Sequence, residues 1–317
     1  MENTSMNHSK SHPPCLPRDI YSLDLDRSSV NSNDFIMTFI IINAMLAFIS
    51  SCNNFVIIYT IARTASIQVP SNILVLGLAI SDFGVGILAQ PAYSIFKFFE
   101  MKRSVSLYCT FGLVYSYSYW TLATVSFFTL TAITVDRFLA VHIHLRYQEL
   151  VTVRRYGILL GCIWVISSVT CVCRMQLSHM LFIRVVGVLS LVFLITLNLY
   201  FLIKIFQVIC RHSIQIQAQQ QSVQQSIDMP RYKKSVNTMY YVIGAFLVCY
   251  VPYVGTMIVY IDASKKITQH KLMLLVVTQT LVMLNGMLNP IIYFWRIQEI
   301  RHSAFQLFRK SFGNFQS

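Results

Sequence analysis

Asp136-Arg137-Phe138 ends one long apolar run of this chain, and Asn289-Pro290-Ile291-Ile292-Tyr293 closes another. Asp82 is the only ionisable residue well inside any such run. A carboxylate at membrane depth is costly, so it marks a functional site by default. With hydroxyl and amide oxygens as neighbours it suits a hard cation such as sodium, or a cluster of water. The other reading of Asp82 is a protonated acid that bonds one helix to the next. Arg137 beside Asp136 reads as a charged pair at the mouth of a bundle, whereas an arginine alone there would snorkel to the headgroups. No nucleophile-and-base pair or metal-ligand cluster stands at that depth, so no enzyme is expected.

The elements that hold these residues follow from composition. Only 12% of residues are charged and 55% are hydrophobic, against roughly 25% charged in a soluble globular chain. Runs without charge cover 35–62, 73–96 (broken by Asp82), 109–135, 157–173, 185–203, 235–261 and 272–295. Most reach the roughly 20 residues that a helix needs to cross about 30 Å of hydrocarbon. Backbone amides in lipid must be satisfied within their own segment, so the runs predict seven helices rather than strands. A polar face at helical spacing, the mark of a soluble helical core, is missing from them. The fold class expected is an all-α membrane protein: residues 1–34 a polar tail, 35–295 a seven-helix bundle, and 296–317 an amphipathic interfacial helix with a short tail. Ile297, Ile300, Ala304, Phe305 and Phe308 share one face of that last helix, with cations opposite. The link at 207–230 contains a Gln-rich stretch that composition leaves open between a helix extension and disorder.

With the first residues outside, the inner segments hold 14 of the 25 Lys and Arg and the outer ones 11, a margin that favours this orientation only slightly. Residues 1–34 carry no signal-peptide pattern. They do carry Asn3-Thr4-Ser5 and Asn7-His8-Ser9, glycosylation acceptors if the tail is lumenal. The net charge of +13 is assigned to helix ends beside anionic lipid headgroups rather than to nucleic acid. Of eight cysteines, Cys52, Cys162 and Cys249 fall inside helices, where a thiol behaves as a small hydrophobe. Cys15, Cys109, Cys171 and Cys173 lie near the outer, oxidising face, and four cysteines allow several pairings.

From about residue 35 to 308 the chain resembles the rhodopsin-like (class A) G protein-coupled receptors. Its motifs come in family order: Asn54; Leu78-Ala79-Ile80-Ser81-Asp82; Asp136-Arg137-Phe138; Trp164; Tyr200; Cys249-Tyr250-Val251-Pro252; and Asn289-Pro290-Ile291-Ile292-Tyr293. The resemblance implies a plasma-membrane receptor that takes an extracellular ligand and activates a heterotrimeric G protein by outward movement of the sixth helix. It implies that Asp82 meets Asn54, Ser126, Asn285 and Asn289 around a sodium ion or waters, with no other cofactor. Arg137, freed from Asp136, would contact the G protein; Leu145 would be the apolar plug of the second inner loop. Tyr200 and Tyr293 would swing inward and meet through water. Position 232, often an acid that locks the arginine, is Tyr232, which implies raised basal activity.

The departures from the family pattern are informative. Tyr250 replaces the usual sixth-helix tryptophan two residues before Pro252, and Val192 replaces the fifth-helix proline, so that helix should be straighter. The usual third-helix cysteine is Gly112; Cys109 stands one turn further out, and by resemblance its partner is Cys173 or Cys171. The short fourth-to-fifth link and missing proline are similar to the melanocortin-like and adenosine-like branch, whose ligand-binding acids are not found. Amine receptors carry an Asp where Tyr119 stands, so an amine ligand is disfavoured. Opsins carry a Lys where Met283 stands, so retinal is excluded. The ligand cavity implied is lined by Tyr115, Tyr119, Tyr250, Tyr253 and Gln279. Arg184 either points into it, where it could pair with a carboxylate or phosphate, or snorkels to the headgroups. The rival functions are a transporter or ion-translocating bundle, which needs several intramembrane charges or broken helices, and a receptor-shaped scaffold without signalling.

Overall fold

The computed structural model describes residues 30–102, 104–143, 147–177, 180–219, 229–260 and 269–313. The main helices are α1 (Val30–Arg63), α2 (Pro70–Lys102), α3 (Val105–His142), α4 (Val153–Gln176), α5 (Leu181–Gln219), α6 (Met229–Tyr260), α7 (Gln269–Arg296) and α8 (Gln298–Gly313). Within the described residues α1 to α7 each contain a span long and apolar enough to cross a membrane. Even α4, the shortest, rises about 36 Å at 1.5 Å per residue.

Burial gives each helix its rank. In their most apolar stretches, 61% of α2 is buried against only 11% of α5, so α2 lies inside the bundle and α5 on its rim. Phe48, Phe182, Phe193 and Val248 are exposed. Large apolar groups turned outward would be a liability in water, but they are the expected face towards lipid.

Inside, where lipid supplies no hydrophobic drive between helices, small residues and polar bridges join them. Asn43 Nδ2 donates to Thr280 Oγ1 at 2.9 Å, joining α1 to α7. Asn198 on α5 donates to Thr131 Oγ1 and accepts from Thr134 Oγ1 on α3, both at 2.9 Å. Gly86 permits close approach of α1 and α2: a Cβ there would fall 2.5 Å from Ser51 Oγ and 3.1 Å from the Ala47 carbonyl.

α2 is irregular at its centre. Five residues, Val85–Ala89, wind as a π turn directly before Gln90 and Pro91. Pro91 lacks an N–H, and its ring would collide with the carbonyl of Ile87 in a regular helix. A widened turn relieves the collision and resets the face of everything after it. Gln90, Tyr93, Lys97 and Glu100 consequently point inward.

α5 is continuous past Val192 and runs on into the Gln-rich stretch as far as Gln219. α8 turns off α7 after Arg296. Ile300 and Ala304 are fully buried against the bundle, while Phe305, expected on the same face, is exposed beside Phe294.

Candidate functional site

Polar groups gather at three levels along the bundle. At its middle, Asp82 of α2 accepts from Ser126 Oγ of α3 at 3.0 Å and from Asn289 Nδ2 of α7 at 2.8 Å. Asn54 of α1 donates to the Gly286 carbonyl at 2.9 Å. The side-chain oxygens of Asn54, Asn285 and Asn289 are buried and accept no hydrogen bond from the described residues. A small cavity lined by Asp82, Tyr119, Ser126, Tyr250, Asn285 and Gly286 has room for one water-sized occupant. A buried carboxylate with amide oxygens awaiting a partner is a donor set for a hard cation or for water.

At one end, Asp136 is pinned. Its Oδ1 accepts from Tyr147 Oη at 2.6 Å and from Tyr156 Oη at 2.5 Å, while Oδ2 lies 3.6 Å from Arg137 Nε. Tyr147 belongs to the single turn Tyr147–Leu150 between α3 and α4. Burial first, then the hydrogen bond and charge of Asp136, raise this phenol above its ordinary value of 10.0, so it remains a donor across the neutral range. Tyr156 comes from the first turn of α4, where Thr152 caps the helix by accepting from Arg155 N. Neither tyrosine was anticipated from sequence, because their approach to Asp136 depends on how α3 and α4 pack.

Of the two tyrosines expected to meet, Tyr293 is buried and Tyr200 is turned outward, 52% exposed, beside Phe201 and Lys204. The structure does not bring them together. Leu145, Asn3 and Asn7 lie outside the described residues.

Towards the other end Tyr115, Tyr119, Tyr250 and Tyr253 are all buried and adjoin one another, and Gln279 is half-buried on α7. Tyr250 stacks on Phe246 (centroids 4.1 Å apart) and Phe127 (5.4 Å), joining α6 to α3 directly below. Pro252, within α6, leaves its carbonyl to Thr256 Oγ1 at 3.0 Å. Pro290 is likewise internal to α7.

The reset face of α2 adds residues that sequence reasoning missed. Tyr93 packs 5.0 Å from Tyr115. Both amide atoms of Gln90 and the hydroxyls of Tyr93 and Tyr115 are buried without a partner among the described residues. Lys97 and Glu100 form a buried pair at 2.8 Å. Buried polar groups are nearly always bonded, so those left over mark a place for water or a ligand. Pro91, nine residues past Asp82, was the sequence signal for this rotation.

Cys109 is disulfide-bonded, but not to Cys173 or Cys171, which are free thiols; the expected pairing is corrected. Cys171 Sγ lies 3.6 Å from the Tyr117 carbonyl of α3, eight residues and about 12 Å of helix rise from Cys109. That is beyond the roughly 7 Å between Cα atoms that a disulfide allows. Cys173, two residues on, is turned some 200° around α4 and is exposed.

Seven apolar helices, a buried acid at mid-depth and an Asp–Arg pair at one end define a signalling membrane bundle. Residues 53–293 match the family described as 7 transmembrane receptor (rhodopsin family), and the chain belongs to it. It is a G protein-coupled receptor. It is 25% identical to the adenosine receptor A2b of Gallus gallus, over 86% of this chain and 88% of that one. It is 28% identical to G-protein coupled receptor 3 of Homo sapiens, over 79% and 76%, and 30% identical to G-protein coupled receptor 6 of Rattus norvegicus, over 83% and 72%.

Proposed function

We propose that the chain sits in the plasma membrane with its first residues outside, takes its ligand in the tyrosine cavity, and passes the signal to a G protein at the Arg137 end. The observation that carries this reading is the stack of Tyr250 on Phe246 and Phe127. Tyr250 belongs at once to the ligand cavity, to the wall of the Asp82 cavity and to the contact between α3 and α6. A ligand that prefers one orientation of Tyr250 biases all three, and it shifts the resting equilibrium by its differential affinity for the two states. α6 then moves outward, with Pro252 as the weak point in its backbone, and Arg137 leaves Asp136 for the G protein.

Asp82 and its amide oxygens would hold a sodium ion or waters in the resting state, where a cation's charge offsets that of the buried carboxylate. Position 119, where amine receptors carry an Asp, is Tyr119, and position 283, where opsins carry a Lys, is Met283, which supports a ligand that is neither a cationic amine nor retinal.

The test is Arg137→Ala in cells that report nucleotide exchange on a panel of G proteins. Arg137 is partly exposed at the bundle mouth, so surface expression should persist while signalling is lost. Basal exchange equal to that of the parent chain would remove Arg137 from the coupling site.

A further inference from the structure

Arg174 stands in the last turn of α4, with its guanidinium carbon 3.7 Å from the centroid of the Trp120 ring on α3. At that separation the cation sits over the indole ring, an electrostatically favourable arrangement. Its other flank is closed by α5. A Cβ built on Gly187 would fall 2.7 Å from Arg174 Nη1, so a larger residue there would make the guanidinium shift from this position. Three helices thus surround one guanidinium, and contact with a ring face satisfies none of its N–H donors. Among the described residues no carboxylate pairs with it: of the acids on this side, Glu100 is bound to Lys97 and Asp34 stands exposed at the start of α1.

Two further facts place this cation beside the ligand cavity. Trp120 contacts Tyr119 (5.5 Å) and Tyr253 (6.4 Å). Arg184, three residues before Gly187 and so on the same face of α5, brings a second guanidinium whose Nε is buried.

We propose that Arg174, stacked on Trp120 and gauged by Gly187, is the anion-recognising residue of the pocket, with Arg184 as a second positive charge. The ligand class is an acidic amphiphile: a carboxylate or phosphate monoester head on an apolar body that lies among the tyrosines. The fork of a guanidinium matches the two oxygens of either head. The proposal rests on the ligand-binding role given above to the tyrosine cavity.

The test uses the full chain in phosphatidylcholine nanodiscs, with tryptophan emission as readout and decanoate, decyl phosphate and decanol as probes. Trp120 is one of only three tryptophans, and an anion drawn to Arg174 changes the field at its indole. Both acids should give a saturable change at concentrations at least about 10-fold below decanol, in keeping with a charge-assisted contact. Arg174→Gln should weaken the acids by about 10-fold or more and leave decanol unchanged, with Arg174→Lys intermediate. Gly187→Ala keeps every charge but makes the guanidinium shift on the indole, so it should weaken the acids and leave decanol unchanged.

Equal binding of acid and alcohol, or indifference to both Arg174→Gln and Gly187→Ala, would overturn the proposal. A tryptophan response that needs phosphatidylglycerol in the disc would overturn it too, by giving Arg174 to a lipid headgroup. Ligand-free nucleotide exchange, measured on the same discs with Arg137→Ala as reference, reports on the receptor reading separately. Anion binding without exchange would sink that reading and keep the site.

Discussion

Asp136 is held more firmly than Arg137. Two phenols fix one carboxylate oxygen, and the arginine meets the other only through Nε at 3.6 Å. With Tyr232 where relatives often carry a second acid, the resting position of Arg137 depends on how rigidly Asp136 is aimed. A hydrogen bond to a charged group is worth roughly 1.5–3 kcal/mol, so losing one donor should loosen the pair without unfolding the bundle. Tyr156→Phe is expected to raise ligand-free nucleotide exchange several-fold, and Tyr147→Phe combined with it to raise exchange further. Exchange at or below the parent level in the double variant would mean that the phenols only tie the short link to α3. At this scale the sequence was a good guide wherever a residue's partner sits on the next helix at the same depth: Asp82, Ser126 and Asn289 assemble as expected. It was a poor guide where the partner depends on which way a helix end faces, as Cys109 and the two phenols show.

Among the elements, α2 departs most from what a run of apolar residues foretells. An ideal helix from 70 to 102 would leave Gln90 and Tyr93 on another face; the π turn at Val85–Ala89 rotates them to Tyr115. Hydropathy cannot register such a turn, since it depends on the order of Gly84, Gly86 and Pro91 rather than on their polarity. Arg174 was hidden for a related reason. Its place near a helix end reads as headgroup contact until the neighbouring glycine is seen on α5. The turn in α2 also depends on α1 coming close at Gly86, where an added Cβ meets backbone at Ala47 and Ser51 as well as the Ser51 hydroxyl. Backbone cannot step aside as a side chain can. Gly86→Ala should therefore cost about 1–3 kcal/mol, the usual penalty for overpacking, read as a lower melting temperature of the purified receptor. Because the rotation of Gln90 and Tyr93 would relax with it, affinity for any ligand of the tyrosine cavity should fall as well. A fully stable Gly86→Ala chain would show that α1 and α2 separate freely and that the turn does not need their contact.

Across the whole molecule the bundle is held by polar bridges, and at its centre they converge on one buried carboxylate. Asn43–Thr280, Asn54–Gly286 and the Thr131–Asn198–Thr134 set close their helix pairs, while Asp82 faces amide oxygens that lack donors. An occupant that pairs with these oxygens and the carboxylate stabilises the arrangement that holds it. That couples the occupant to the conformation of the entire chain. If sodium is the occupant and favours the resting state, it stabilises that state by RT ln(1 + [Na⁺]/Kd), about 2.7 kcal/mol at 100 times Kd. Replacing choline chloride by sodium chloride at constant ionic strength, which holds surface screening fixed, should then raise the melting temperature and lower ligand-free nucleotide exchange together. Asp82→Asn should abolish both responses, since the amide lacks the charge that holds the ion. The two readings of Asp82 part here: a carboxyl that is protonated and bonds helix to helix gives no sodium response in the parent chain, only a melting temperature that rises as pH falls. A sodium effect that survives Asp82→Asn would assign the cation to some other part of the receptor and leave water as the occupant of the centre.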